Sequence, residues 1–216
     1  VVASMMDQYA KFLKHSYDYE WRKDFPSLNY ILTSSGWRQD HNGFSHQNPG
    51  FIDGVLQRHG NFVDVYFPAD ANSTIVAMER MLSSTRQINV LAAGKTVEPR
   101  WLTLDKAKKQ IDRGIMTWDF ASDENPDVVL VGIGDYPTKE VLAAIDIAKN
   151  EKKDIFLRFV NVSSLTSKGF GQGRYSLSNE EFFNFFTPDK PVICNFHGYP
   201  ETLKSILFNY PVESTR

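Results

Sequence analysis

Within ten positions, from Arg38 to Gln47, the chain places Arg38, Gln39, Asp40, His41, Asn42, Ser45, His46 and Gln47. Nearly every side chain in that run donates or accepts a hydrogen bond. Gly43, Pro49 and Gly50 make the surrounding stretch, WRQDHNGFSHQNPG from Trp37 to Gly50, a shaped loop rather than a helix or strand. Glutamine, asparagine and histidine groups supply directed donors, and a lysine adds charge; together they suit an anion such as phosphate. That lysine is Lys95, which follows the apolar run Ile88 to Ala93 (INVLAA) and Gly94. Gln39, His41, Asn42, His46 and Lys95 are therefore the candidate site. The bland readings stand beside it: a polar surface loop that touches only water, and a solvated lysine at a strand end. A metal site built on His41 and His46 lacks a third ligand at a standard spacing, so no metal ligand is assigned.

Two strands must position these groups. Leu28 to Leu32 (LNYIL), within a strand expected over 28–34, reads as buried, and INVLAA reads as a strand covered on both faces of a parallel sheet. In an open α/β sheet, ligands collect just past the carboxyl ends of strands, where both the loop and Lys95 would lie.

The rest of the chain repeats an α/β rhythm. Apolar spacing predicts a helix over 1–14, and Pro49 opens a short helix carrying Phe51, Ile52, Val55 and Leu56. Phe62 to Phe67 alternates as a strand, and a helix follows over about 73–83 with Ile75, Met78 and Leu82 on one face. Thr103 caps a helix that Gly114 stops, but 96–126 shows no clear strand and reads as a linker between two sheets. Beyond it come a strand over 128–133, a helix over 137–152, a strand over 155–162, a helix over 180–186 with a Ser178/Glu181 capping box, a strand over 192–196 and a helix over 200–208. The fold class is α/β, with two mostly parallel sheets flanked by helices.

Other motifs read as structural. Gly132-Ile-Gly134 lacks the third glycine and the downstream acid of a dinucleotide fingerprint, and is a tight turn. Cys194 reads as a core thiol. His197-Gly198-Tyr199-Pro200 sits at a strand end, as a functional group or as a helix entry with a satisfied histidine; the second reading is preferred.

With 216 residues, the chain holds one large domain or two small ones, and 42% apolar content provides a substantial core. A net charge of -2 gives no case for nucleic acid or an anionic membrane. One cysteine excludes an internal disulfide and fits a reducing, cytoplasmic compartment. No run approaches the roughly 18 apolar residues of a membrane span, and no secretory leader is seen. The chain opens on Val1 inside a helical pattern, so a piece of a longer polypeptide is expected.

WRQDHNGFSHQNPG, with LNYILTSSG before it, closely resembles a stretch of the phosphoketolases that cleave xylulose 5-phosphate and fructose 6-phosphate. The resemblance continues through VDVYFPADAN at 63–72, INVLAAGKTVEPRWLTLDKA at 88–107, 127–137, FVNVSSL at 159–165 and DKPVICNFHGYP at 189–200. It implies a thiamine-diphosphate- and Mg²⁺-dependent aldehyde-lyase of carbohydrate metabolism. Such an enzyme splits the ketose phosphate with inorganic phosphate, giving acetyl phosphate, an aldose phosphate and water. It further implies a transketolase-like layout, with 1–98 the end of the pyrimidine-binding domain and 99–216 most of the C-terminal domain. The main cofactor-binding residues would lie outside this chain, in an enzyme that is a homodimer or larger. Carried over by residue, Gln39, His41, Asn42 and His46 match the active-site loop and Lys95 matches a phosphate-holding lysine. His46 would lie nearest the reacting carbon and act catalytically as a proton carrier. The first half would then present an exposed sheet edge. The rival readings are a structural or assembly module without chemistry, a transketolase-like fragment, and a flavodoxin-like small-ligand domain. Affinity for thiamine diphosphate would separate the module reading from the enzyme reading.

Overall fold

Ile88–Ala92 (β3) is apolar except for Asn89 and is buried along its whole length, as befits the middle strand of a parallel sheet. It lies between Leu28–Leu32 (β1) and Val63–Tyr66 (β2), and both run parallel to it. The one polar residue is satisfied: the Asn89 amide donates to Asn29 Oδ1 at 2.7 Å and to Ser84 Oγ at 2.8 Å. In this computed structural model, residues 1–22, 25–33, 48–58, 61–152, 154–166 and 176–211 are described.

Helices Val2–Ser16 (α1) and Gly50–Leu56 (α2) cover one face of this sheet, burying Met6, Ala10, Leu13, Ile52 and Val55 against Ile88, Val90 and Ala92. Ala71–Ser83 (α3) covers the other face, against Leu91. The inward face of α3 differs from the sequence expectation. Ser73, Val76, Ala77 and Met81 are buried, whereas Ile75 and Leu82 are 60% and 70% exposed. Asp70 caps this helix and draws Ser73 inward, and that fixes the rotation of the helix ahead of its apolar pattern. β1 also departs from a fully buried strand. Leu28, Tyr30 and Leu32 are half-buried, Asn29 and Ile31 are exposed, and among the described residues no strand pairs with its outer edge.

The second sheet has the order β4-β6-β5-β7, from Ile115–Thr117 (β4), Val128–Ile133 (β5), Leu157–Val162 (β6) and Val192–Phe196 (β7). β5, β6 and β7 are parallel; β4 runs antiparallel to β6. Leu104–Arg113 (α4) and Asp135–Glu151 (α5) pack on one face, and Asn179–Phe186 (α6) and Pro200–Leu207 (α7) on the other. Thr103 and Gly114 bound α4, and Ser178 with Glu181 forms the full capping box of α6. The stretch 96–126 is more than a linker: besides α4 it contributes β4 and the buried Trp118, whose indole N–H donates to Gln110 Oε1 at 2.8 Å. Cys194 is exposed on β7, not in the core.

The two sheets join through the edge of β2. Beyond β6, Ser163 to Thr166 runs antiparallel to β2: the Phe67 N–H donates to the Ser163 carbonyl at 2.8 Å, the Leu165 N–H to the Val65 carbonyl at 3.3 Å, and Tyr66 bridges Ser164. Phe67 just follows β2 and Ser163 just follows β6, so the carboxyl ends of the two sheets face one another. Thr202 donates to Asp53, which ties α7 to α2 across the same join. On the far side Asp70, 1% exposed, accepts from the Ser73 and Leu102 N–H groups at 2.8 and 2.9 Å.

Asp70→Ala removes a helix cap and strands the Leu102 N–H. We expect it to cost about 2–4 kcal/mol, the sum of a lost cap and a buried unsatisfied donor. Urea unfolding measures this, and a loss below about 1 kcal/mol, that of an ordinary cap alone, would contradict the double role.

Candidate functional site

The strand ends build the site. β1 and β3 finish in register, Leu32 opposite Ala92, and the Ala93 N–H donates to the Leu32 carbonyl at 3.1 Å. The segment after β1 therefore departs from beside Gly94 and Lys95. Its far end returns to the same strand: Pro49 takes a helical conformation at the start of α2, and Phe51 packs edge-on to Tyr30 with ring centroids 5.1 Å apart. Gln39, His41, Asn42 and His46 belong to the segment between these anchors and lie outside the described residues. Lys95 is described, and it is exposed in the turn that follows β3. The structure thus sets Lys95 beside the start of the loop and packs the loop's far end against the middle of β1.

The second sheet adds groups to that edge which sequence reasoning missed. The Gly94 N–H donates to Asp135 Oδ2 at 2.6 Å, from the first residue of α5. Gly134 precedes it with φ 102°, a conformation that glycine reaches without steric cost. Tyr136 stacks on His197, centroids 6.0 Å apart and planes within 24°, and the Lys139 ammonium lies 5.5 Å from the Tyr136 ring centre. Pro200 does open a helix after His197, as expected, but the imidazole is part of a side-chain stack at the strand end. Burial pushes the His197 pKa down to about 4, so the ring is neutral near pH 7. Position at a strand end was the one sequence signal for His197; nothing local signals a contact between Asp135 and Gly94, 41 residues apart.

Chemically, this edge carries the Lys95 and Lys139 ammonium groups and a neutral imidazole, groups suited to an anion, with the Asp135 carboxylate turned to the Gly94 N–H. Among the described residues no three His, Cys, Asp or Glu side chains gather as a metal site.

Comparison with known proteins decides the family. The model for the XFP C-terminal domain matches residues 95–215, and that for D-xylulose 5-phosphate/D-fructose 6-phosphate phosphoketolase matches residues 1–84. The chain belongs to the phosphoketolase family. Relatives described as probable phosphoketolases include one from Brucella suis, 42% identical over 96% of this chain, and one from Gloeobacter violaceus, 45% identical over 93%. The chain spans about a quarter of their length, 27% and 26%. A transketolase of Pichia stipitis in complex with xylulose 5-phosphate shares the fold, with a TM-score of 0.58, 21% identity, and coverage of 83% of this chain and 24% of that one. So does a split-gene transketolase described as an inactive β4 tetramer, with a TM-score of 0.53, 17% identity, and coverage of 86% and 55%. At such identities the likeness bears on the fold alone, so the phosphoketolase assignment rests on the family matches.

The half-buried His197 makes a pH prediction. Its folded pKa lies below the ordinary 6.5, so as pH falls through that window the unfolded chain takes up a proton that the folded chain refuses. Its penalty is absent above pH 7 and grows to about 2 kcal/mol at pH 5. His197→Gln should flatten this part of the stability curve; urea unfolding at pH 7.5 and pH 5 with equal losses in both proteins would refute it.

Proposed function

We propose that this chain is the part of a phosphoketolase that supplies the phosphate-recognition face of the active site. In this reading, residues 1–98 form the end of the pyrimidine-binding domain and 99–216 most of the C-terminal domain. The substrates are xylulose 5-phosphate or fructose 6-phosphate and inorganic phosphate; the products are acetyl phosphate, an aldose phosphate and water. The observation that carries it is the register of β1 and β3, which starts the loop bearing Gln39, His41, Asn42 and His46 beside Lys95.

Lys95 supplies charge to the phosphate of the sugar and then to the attacking inorganic phosphate. Gln39, His41 and Asn42 supply directed hydrogen bonds, and His46 carries a proton at the reacting carbon. Thiamine diphosphate with Mg²⁺ supplies the carbanion chemistry when bound. Among the described residues no cluster of His, Cys, Asp or Glu side chains would hold that metal. Its ligands belong to the remainder of a chain of the relatives' length and to a second subunit.

The test is steady-state kinetics with phosphate varied, on the intact dimeric enzyme. A charge pair at ~4 Å contributes roughly 4 kcal/mol per unit charge at an effective dielectric of about 20. Desolvating the ammonium offsets part of that, leaving about 2–3 kcal/mol. Lys95→Met keeps the aliphatic stem, so the phosphate KM should rise about 30- to 150-fold. His46→Ala should instead depress kcat more than affinity. A phosphate KM within about twofold of the parent, far below the tenfold that 1.4 kcal/mol implies, makes Lys95 a solvated surface lysine. Residues 1–216 alone should release no acetyl phosphate when given ketose phosphate, phosphate and cofactors, and detectable product would remove the need for the missing chain.

A further inference from the structure

We infer that Asp135 is a positioning residue for phosphate recognition: from the start of α5 it holds the Gly94 N–H and so sets the direction in which Lys95 leaves β3. The inference rests on the reading of Lys95 as a phosphate ligand. In a parallel ladder the N–H groups of successive residues point to opposite neighbours. Along β3 the Ile88 N–H donates to the Phe62 carbonyl on the β2 side, and the Ala93 N–H to the Leu32 carbonyl on the β1 side. The Gly94 N–H therefore points to the β2 side, beyond Tyr66, where β2 has ended. Asp135 Oδ2 stands where the next strand carbonyl would be, 2.6 Å from the Gly94 nitrogen.

Both partners are specialised for this contact. Asp135 is 5% exposed, and its other oxygen accepts from the Tyr136 N–H at 2.7 Å. Its negative charge sits at the N-terminus of a helix of 17 residues, where the dipole favours it. A side chain at position 94 would place Cβ 2.7 Å from Asp135 Oδ2 and 3.1 Å from Glu98 Oε1, so an alanine there must displace the carboxylate. The contact spans the join between the sheets: one end belongs to the four-stranded sheet, and the other is the residue before Lys95. The C-terminal sheet thereby takes part in phosphate binding without touching phosphate.

The test is a double-mutant cycle on the intact enzyme, reading KM for inorganic phosphate and kcat separately. Asp135→Asn removes the charge from a charge-assisted hydrogen bond and should raise the phosphate KM about 5- to 30-fold with kcat changed far less. In the Lys95→Met background the same substitution should change that KM by less than twofold, because no ammonium remains to be aimed. Gly94→Ala strains the contact from the other side and should reproduce the KM effect, so it carries the test if Asp135→Asn fails to fold. Multiplicative effects of Asp135→Asn and Lys95→Met, or an unchanged KM in both Asp135→Asn and Gly94→Ala, overturn the inference while leaving Lys95 as a ligand. An unchanged KM in Lys95→Met overturns the parent reading and this inference with it.

Discussion

The antiparallel pairing of β2 with Ser163 to Thr166 joins the two sheets. It closes the edge of the three-stranded sheet with backbone from the four-stranded one, through the Phe67 N–H to the Ser163 carbonyl and the Leu165 N–H to the Val65 carbonyl. Because the last residues of β2 pair with the segment just beyond β6, the pairing turns the carboxyl ends of the sheets toward each other. Everything proposed for the site follows from that geometry: strand ends are where α/β proteins present ligand-binding groups, and here two sets of strand ends share one seam. Phe67 and Phe196, with ring centroids 5.4 Å apart, fill the seam with apolar contact from both sheets.

Buried polar groups also hold the seam. Asp70 and Asp135, each almost fully buried, bridge the two halves of the chain through backbone N–H groups of Leu102 and Gly94. Within the second sheet, the Asn161 amide donates to the Gly132 carbonyl at 3.1 Å and to Thr138 Oγ1 at 2.7 Å, and its oxygen accepts from Gln110. Buried polar groups arranged this way hold a geometry more specifically than apolar packing, since any displacement leaves a donor or acceptor without a partner. That rigidity suits a scaffold whose task is to hold two strand ends at a fixed separation.

Much of this was legible in the sequence where the signal is local. The apolar run of β3, the Ser178/Glu181 box of α6 and the Thr103 to Gly114 limits of α4 each announce themselves within a few residues. What was not legible depends on distant partners. β4 is three residues long, too short for alternation to show, and exists because it pairs antiparallel with β6. The rotation of α3 follows Asp70, which in turn is held by Leu102, so Ile75 and Leu82 face outward despite their apolar character. Cys194 lies on an edge strand whose position no local pattern reveals. For the site, the candidate loop and Lys95 were singled out by side-chain chemistry, and the register of β1 and β3 accounts for bringing Lys95 beside the start of the loop. Asp135 escaped notice because its contact is tertiary.

The converging strand ends are proposed to form a phosphate site in the intact enzyme, and a crystal structure of that enzyme with inorganic phosphate bound would show where the anion sits. Phosphate should lie within hydrogen-bond reach of Lys95 Nζ and of side chains from Gln39 to His46, with the contact from Asp135 to Gly94 in place. Phosphate bound away from these strand ends, with Lys95 turned to solvent, would contradict it.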